Sequence, residues 1–446
     1  MSNSEHKFNC GGLRLEDETF ARMQSRINKA MGRLREKPKS RTIDEIETAA
    51  LELRDEIGRI VAEEMTKESA SETDSDSAPE PPLKLACSCG RWARFKGYRE
   101  RWLVMMLGNV RSLRRYYYCR CCDSGFFPSD EVLECVHTSF TLRTRQEVTR
   151  LCSVSSSYDM AVSILEDLAG VRVSSSHAQR ITEEAGLIVD GLFSKRRASA
   201  LSDKLESAFK PDILYLLADG VMTPTLEGYR ETKVGVAVAY GDGKQLSKQY
   251  TSHLGDSERF SEDWYALARR NGVSNAKQTV ILGDGSRWIW NQGDFHFPGA
   301  TQILDIWHAL DRLCALARNA FGEGTRAGAD WIAERLAEMK ESRIADVMGA
   351  IRKLATQFPK VRENAKEELT YVRNNQFRMD YARYIKLGLW IGSGTVESAC
   401  KQVVTQRLKG AGMRWKEQNA QTISRLRCLI LGGEWAQFKN CWNPSS

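Results

Sequence analysis

Two aspartates, each followed by glycine, carry the strongest chemical signal in this chain: Asp219 in DILYLLADG and Asp284 in QTVILGDG. Each stands after a short apolar run that reads as a strand, so both acids are expected at strand C-termini. The glycine that follows lets the backbone turn and leaves room for a phosphate. A third acid, Glu397, falls in the first turn of the helix opened by GSGTV, from where it can project back toward a sheet edge. Three converging carboxylates suit phosphodiester chemistry, because two cations about 3.5–4 Å apart activate the attacking oxygen and stabilise the leaving one. Magnesium, or manganese in its place, prefers a few carboxylate oxygens, waters and substrate phosphates to a full protein cage. Each residue alone has a plainer reading, since Asp-Gly is a common turn dipeptide and an acid is favourable at a helix start. The ordered set on matching elements favours a site for two divalent ions.

The second signal is sulfur. Cys119-Arg-Cys-Cys122 supplies two thiols at knuckle spacing and Cys87-Ser-Cys89 an earlier pair, so the four can close a tetrahedral zinc site. Cys121 competes with Cys122 as a ligand, and the plainer alternative is a set of reduced cysteines without metal. Cys10, Cys135, Cys152, Cys314, Cys400, Cys428 and Cys441 are scattered and read as structural.

These residues need elements to hold them. Residues 1–68 form a helical region in which Ile43, Ile46, Ala50, Leu53, Ile57 and Ile60 recur at helical spacing. The segment TKESASETDSDSAPEPP is acidic, serine-rich and proline-terminated, and residues 69–82 are read as a disordered linker. Residues 83–130 hold both cysteine pairs around a hairpin, WLVMMLGNVRSLRRYYYC. Residues 131–200 are helical; MAVSILEDLAG, a break at VRV and SSSHAQRITEEAG outline a helix-turn-helix whose serines cap the second helix.

From 205 to 445 three strands, a helix, and strands alternating with helices give the order of a ribonuclease-H-like domain, with its first and fourth strands side by side. A helical insertion is expected at about 312–388. The fold class is therefore α/β.

Composition agrees with a DNA partner. The 446 residues carry a net charge of +7, and basic residues concentrate in Lys84–Asp130 and near the C-terminus, while the first 82 residues lean acidic. No apolar run reaches the roughly 18–20 residues of a membrane span. The start, MSNSEHKFNC, lacks the apolar stretch of a secretory signal, so a cytoplasmic protein with reduced thiols is expected.

Taken together, YYYCRCCDSGFFPSDE, LADGV, GDGSRWIW, LDIWHAL, GSGTVES, GMRW and RLRCLILGGEW form a set that resembles the ISKra-type insertion-sequence transposases, relatives of the Mutator-like group, over roughly residues 83–440. The resemblance implies a DDE catalytic domain in which Asp219, Asp284 and Glu397 are the triad and hold Mg²⁺. It also matches Asp305-Ile-Trp-His308 to a motif of the Mutator-like enzymes. There His308 would orient a phosphate or a water; the plainer alternative is a helix-capping Asp305 with a packed His308. In Gly412-Met-Arg-Trp415 the resemblance points Arg414 at DNA phosphate, with Trp415 packing or stacking, and Arg407 and Lys409 are placed on the same DNA-binding surface. One residue separates Cys87 from Cys89, whereas two are usual in the family, which leaves the zinc ligand set open. The implied partners are transposon terminal repeats and target DNA, engaged by a homodimer or larger assembly. A nuclease that does not join strands, and a DNA-binding protein without catalysis, are the alternatives.

Overall fold

The computed structural model describes residues 17–32, 42–71, 82–202 and 207–442. The chain forms two compact units: one takes residues up to Cys152 with Ser157–Ile181, the other Ser153–Ser156 with Thr182 onward. The units therefore do not part at the divisions read from the sequence near residues 130 and 200.

In the first unit, α1 (Asp17–Gly32) lies against α2 (Ile43–Ser71), and Met23, Ala30 and Ile60 bury their side chains with help from Ile27, Leu53 and Val61. Against the opposing effect of burial, Lys67, Arg26 and Arg22 all reach the nearly buried Glu64 and hold its carboxyl below the ordinary range. Ile43, Ile46 and Ala50, read as part of an apolar stripe, instead face solvent in the first turns of α2. The helix also continues to Ser71, into the expected linker; the linker residues 72–81, and Cys10, lie outside the described residues.

A four-stranded antiparallel sheet follows in the order β1 (Lys84–Ala86), β2 (Trp92–Met105), β3 (Gly108–Cys119) and β4 (Ser124–Phe126). The expected hairpin is β2–β3, closed at Met105–Gly108, where Gly108 adopts a positive φ. Short α3 (Pro128–Val132) brings Asp130 to Arg101 and Arg114. Then come α4 (Leu142–Val154), α5 (Tyr158–Ala169) and α6 (Ser175–Ala200). Gly170 ends α5 in the left-handed conformation and Ser174 Oγ accepts the His177 amide at 3.3 Å, as the serine run predicted. The long α6 belongs to both units, its first residues to Ile181 in one and the remainder in the other.

The second unit is built on a five-stranded sheet in the order β7-β6-β5-β8-β9. Its strands are β5 (Ile213–Thr225), β6 (Gly228–Gly241), β7 (Lys244–Leu254), β8 (Gln278–Gly283) and β9 (Thr301–Leu304), with α7 (Ser257–Arg270) and α8 (Arg287–His296) between them. The first three are antiparallel neighbours; β8 and β9 run parallel to β5. Leu214–Ala218 and Val236–Ala239 are buried on both faces, which explains their continuous apolar runs. Phe260 and Trp264 of α7 fill the space that Gly235 leaves on β6.

Helices α9 (Ile306–Phe321), α10 (Arg326–Lys340), α11 (Ile344–Gln357), α12 (Arg362–Asn375) and α13 (Tyr381–Lys386) form the helical insertion. It seals the sheet edge: Tyr381 and Tyr384 donate their hydroxyls to the carbonyls of Leu304 and Gln302 on β9. The chain ends in α14 (Gly394–Cys400), a π turn at Lys401–Thr405, α15 (Gln406–Leu408), α16 (Glu417–Leu431) against β7, and α17 (Trp435–Cys441). Among the described residues no helix is long and apolar enough to cross a membrane.

Tyr381 is fully buried, so Tyr381→Phe leaves the Leu304 carbonyl without its partner. The expected loss is about 1–3 kcal/mol. It should show as a lower urea midpoint at unchanged slope, and an unchanged midpoint would show that the edge needs no such cap.

Candidate active site

The parallel pairing of β5 with β8 ends at Leu217 opposite Leu282, and two residues beyond each partner stand Asp219 and Asp284. The two acids are therefore set side by side by one register. Asp219 does not end its strand: β5 runs on to Thr225 paired with β6 alone, because Gly220 is extended and faces Glu231, whose carboxylate fills the place of a side chain. The turn read from the sequence is found only at the second acid, where Gly285 adopts φ +99° against the Tyr371 ring. Tyr371 reaches from α12 to donate its hydroxyl to the Asp284 carbonyl at 2.9 Å. The Asp284 carboxylate accepts the Ser286 amide and hydroxyl at 2.9 and 3.0 Å.

Asp219 Oδ1 accepts the Gly220 amide at 2.7 Å, and Oδ2 has the Cys400 thiol at 3.5 Å. Burial pushes the Asp219 carboxyl up, and the adjacent Asp284 charge adds to the effect. Burial and Asp219 together keep the Cys400 thiol protonated. Cys400 lies one turn after Glu397 on α14, so the same helical face brings Glu397 to the cluster. Half of the Glu397 side chain is exposed, and its Oε1 is 3.8 Å from His308 Nδ1.

Asp305 is fully buried and caps α9. Its Oδ1 accepts the Trp307 amide at 2.7 Å; Oδ2 accepts His308 Nδ1 at 2.8 Å, the Ser393 amide at 3.0 Å and the Ser393 hydroxyl. Burial opposes ionisation, yet the bonds from His308 and Ser393 hold its carboxyl below the usual range. Asp305 in turn raises His308 to about 9, with Asp284 and Glu397 adding to it. Asp305, His308 and Glu397 lie within metal-ligand reach of one another. Asp305, however, is fully buried and its Oδ2 already takes three donors, whereas Asp219 and Asp284 take one donor on each oxygen, so Asp305 is suited to orienting His308 rather than to binding an ion. Capping and orientation coexist in one residue.

The other acids around His308 are Asp219, Asp284 and Glu397. Two neighbouring carboxylates, one of them pushed up by burial, form a site that a divalent cation would stabilise. The donor set, all carboxylate oxygen with one imidazole nearby, fits magnesium or manganese.

The other expected DNA contacts divide. Arg414 and Lys409 are exposed. Trp415 is buried: its amide donates to the Pro224 carbonyl at 3.2 Å, its carbonyl accepts from Leu226, and Nε1 donates to Leu408 at 3.0 Å. GMRW thus extends the end of β5, and Trp415 has no free ring face for a base. Arg407 is also buried, with its guanidinium 4.9 Å from the Trp415 ring centre, so it packs the core instead of meeting DNA. Four contributors were not read from the sequence: Ser286, Tyr371, Ser393 and Cys400. The serines stand within the quoted GDGS and GSG motifs and Cys400 is three residues after Glu397, whereas Tyr371 has no local signal.

In the first unit, the sulfurs of Cys87, Cys89, Cys119 and Cys122 lie within 4.8 Å of one another. Cys87 and Cys122 are 3.5 Å apart, Cys89 and Cys119 3.7 Å. The exposed Cys121 is outside the group, which selects Cys122. The amides of Cys89 and Cys122 point at the sulfurs of Cys87 and Cys119 and hold both thiols below the ordinary range. Four converging sulfurs, two of them held toward the thiolate form by backbone amides, fit a tetrahedral zinc ion.

Fold and site define a mixed α/β protein with an acidic cluster where its central parallel strands end and a separate four-cysteine group. The chain belongs to the uncharacterised protein family UPF0236, whose profile matches residues 42–441 and so takes in both groups. No curated protein matches it.

Two outcomes follow from this geometry. In metal-free protein, His308 should titrate near 9 by NMR, and Asp305→Asn should bring it down toward the ordinary histidine value. Because the folded value is raised, the His308 contribution to stability is complete below about 6.5 and lost as pH rises through about 9. No movement in Asp305→Asn would remove Asp305 as the orienting group. Elemental analysis should find one zinc per chain, lost in Cys119→Ser and kept in Cys121→Ser; zinc lost equally in both would break the assignment of the set.

Proposed function

We propose that this chain is a DNA transposase with a ribonuclease-H-like catalytic unit. It would cut at transposon terminal repeats and join the exposed 3′-hydroxyl to target DNA. The single observation that supports the reading is the side-by-side placement of Asp219 and Asp284 by the β5–β8 register, with His308 lying near Asp284 and near Glu397 of α14. The sheet order, three antiparallel strands followed by two parallel ones, supports the fold assignment. When bound, two Mg²⁺ or Mn²⁺ ions would activate the attacking oxygen and stabilise the leaving one.

The chain's own groups act around that chemistry. Asp219 and Asp284 would supply carboxylates held by hydrogen bonds, Glu397 a half-exposed one, and His308, raised to about 9 by Asp305, would present a positive charge to the phosphate. Exposed Lys409 and Arg414 offer phosphate contacts. The cysteine group would hold a structural zinc. Two DNA ends must be paired for joining, which calls for a homodimer or larger assembly in the cytoplasm.

Asp219→Asn, Asp284→Asn and Glu397→Gln should each lower metal-dependent cleavage of the element's end DNA by about 100-fold or more. Binding of that DNA in calcium should persist. Because burial and Asp284 destabilise the ionised Asp219, Asp219→Asn should also raise the metal-free unfolding midpoint. A variant with full cleavage is not a site residue. Cleavage without joined product, when ends are paired, would favour a nuclease.

A further inference from the structure

The sheet beside the cysteine group has two unlike faces. Ala93, Phe95, Tyr117 and Cys119 point to one, where they form a small core with Cys87, Leu85 and Phe126. Trp92, Arg94, Tyr116 and Tyr118 belong to the other, since Arg94 pairs with Tyr118 and strand residues alternate in direction; the register shift between Phe95 and Tyr98 then sets Arg99, opposite Arg114, on the side of Tyr116. On this second face Trp92 is 67% exposed, and Arg94, Lys96 and Arg99 are exposed along the same strand.

The aromatic rings on this face are supported from below. Tyr116 lies against Gly125 of β4, where any Cβ would collide with its ring, and Phe127 packs beside it at 5.1 Å between centres. The Arg99 guanidinium is 5.6 Å from the Tyr116 ring centre. Tyr118 donates its hydroxyl to Asp123.

Charge is equally uneven. Lys84–Cys122 contains ten Lys and Arg and one acid, Glu100. Arg101 and Arg114 share the single carboxylate of Asp130, and Arg111 is paired with Glu100. No carboxylate is paired with Arg94, Lys96 or Arg99 among the described residues. An unneutralised basic row beside an exposed indole and a half-buried phenol ring fits a polyanion with stackable faces. A duplex hides its base faces, whereas an unpaired strand offers both phosphates and rings.

We propose that this face of the cysteine-group sheet binds single-stranded DNA, with bases stacking on Trp92 and Tyr116 and phosphates meeting Arg94, Lys96 and Arg99. The choice of DNA over RNA rests on the transposase reading; the geometry of the face does not depend on the acidic cluster.

The test uses the full chain carrying Asp219→Asn, so that binding is measured without cleavage. Anisotropy of a labelled oligothymidylate of about 16 nucleotides is compared with a duplex of that length and with oligouridylate. Trp92→Ala and Tyr116→Ala should each weaken oligothymidylate binding about 5- to 100-fold, with Trp92→Phe keeping most of it. Arg94→Ala with Arg99→Ala should reduce the salt slope by about 0.7 per lost phosphate contact. Undiminished binding by Trp92→Ala, equal loss in Trp92→Phe, or tighter binding of the duplex would overturn the stacking face. Tighter binding of oligouridylate would overturn the choice of DNA. None of these outcomes bears on whether the acids cleave.

Discussion

The second unit depends on the buried carboxylate of Asp305. A carboxylate removed from water is costly unless it is hydrogen-bonded, and here every donor it takes comes from a different structural demand. The Trp307 amide starts α9, the His308 imidazole is turned toward the acids, and the Ser393 amide and hydroxyl fix the entry to α14. Ser393 is 88 residues away in sequence, beyond the whole helical insertion. One carboxylate thus makes the start and finish of that insertion converge, and with them His308 and Glu397.

Placement of Glu397 has a second constraint. Immediately after α14 the helix widens into a π turn at Lys401–Thr405, within which the Gln402 carbonyl accepts bonds from Arg427 of α16. Arg427 also donates to the Ser153 carbonyl at 2.7 Å. Such turns shift the angular register of a helix and are frequent at functional sites. Val403 and Val404 within it and Leu408 beyond it are fully buried, so the wider turn lets one helix present Glu397 and Cys400 toward β5 and still bury its far end.

The sheet itself supplies the remaining geometry. Parallel strands β5 and β8 are held in a register that aligns Asp219 with Asp284, and Tyr371 fastens the turn after the second acid from the insertion side. Two like charges brought together cost stability in the absence of a counter-ion. Strain of this kind at an otherwise well-satisfied site is the usual mark of function.

Local order was largely legible. The apolar runs ending at Ala218 and Gly283, the hairpin around Gly108, the serine cap at Ser174 and the helix carrying Glu397 follow from periodicity, turn chemistry and capping, all of which act over a few residues. The four cysteines that meet were likewise legible by spacing, though choosing Cys122 over Cys121 required the fold of the knuckle. What the sequence could not decide was burial and long-range partnership. Arg407 and Trp415 have residue types suited to DNA, but the GMRW segment adds to the end of β5 and takes both into the core. Asp219 precedes a glycine, as a turn residue would, yet pairing with β6 carries its strand onward to Thr225. Asp305, Tyr371 and Cys400 acquire their roles from groups on other elements. Sequence alone determined which residues could carry charge, metal or a turn; tertiary structure decided which of them meet, because hydrogen bonding and burial are satisfied across the fold rather than along the chain.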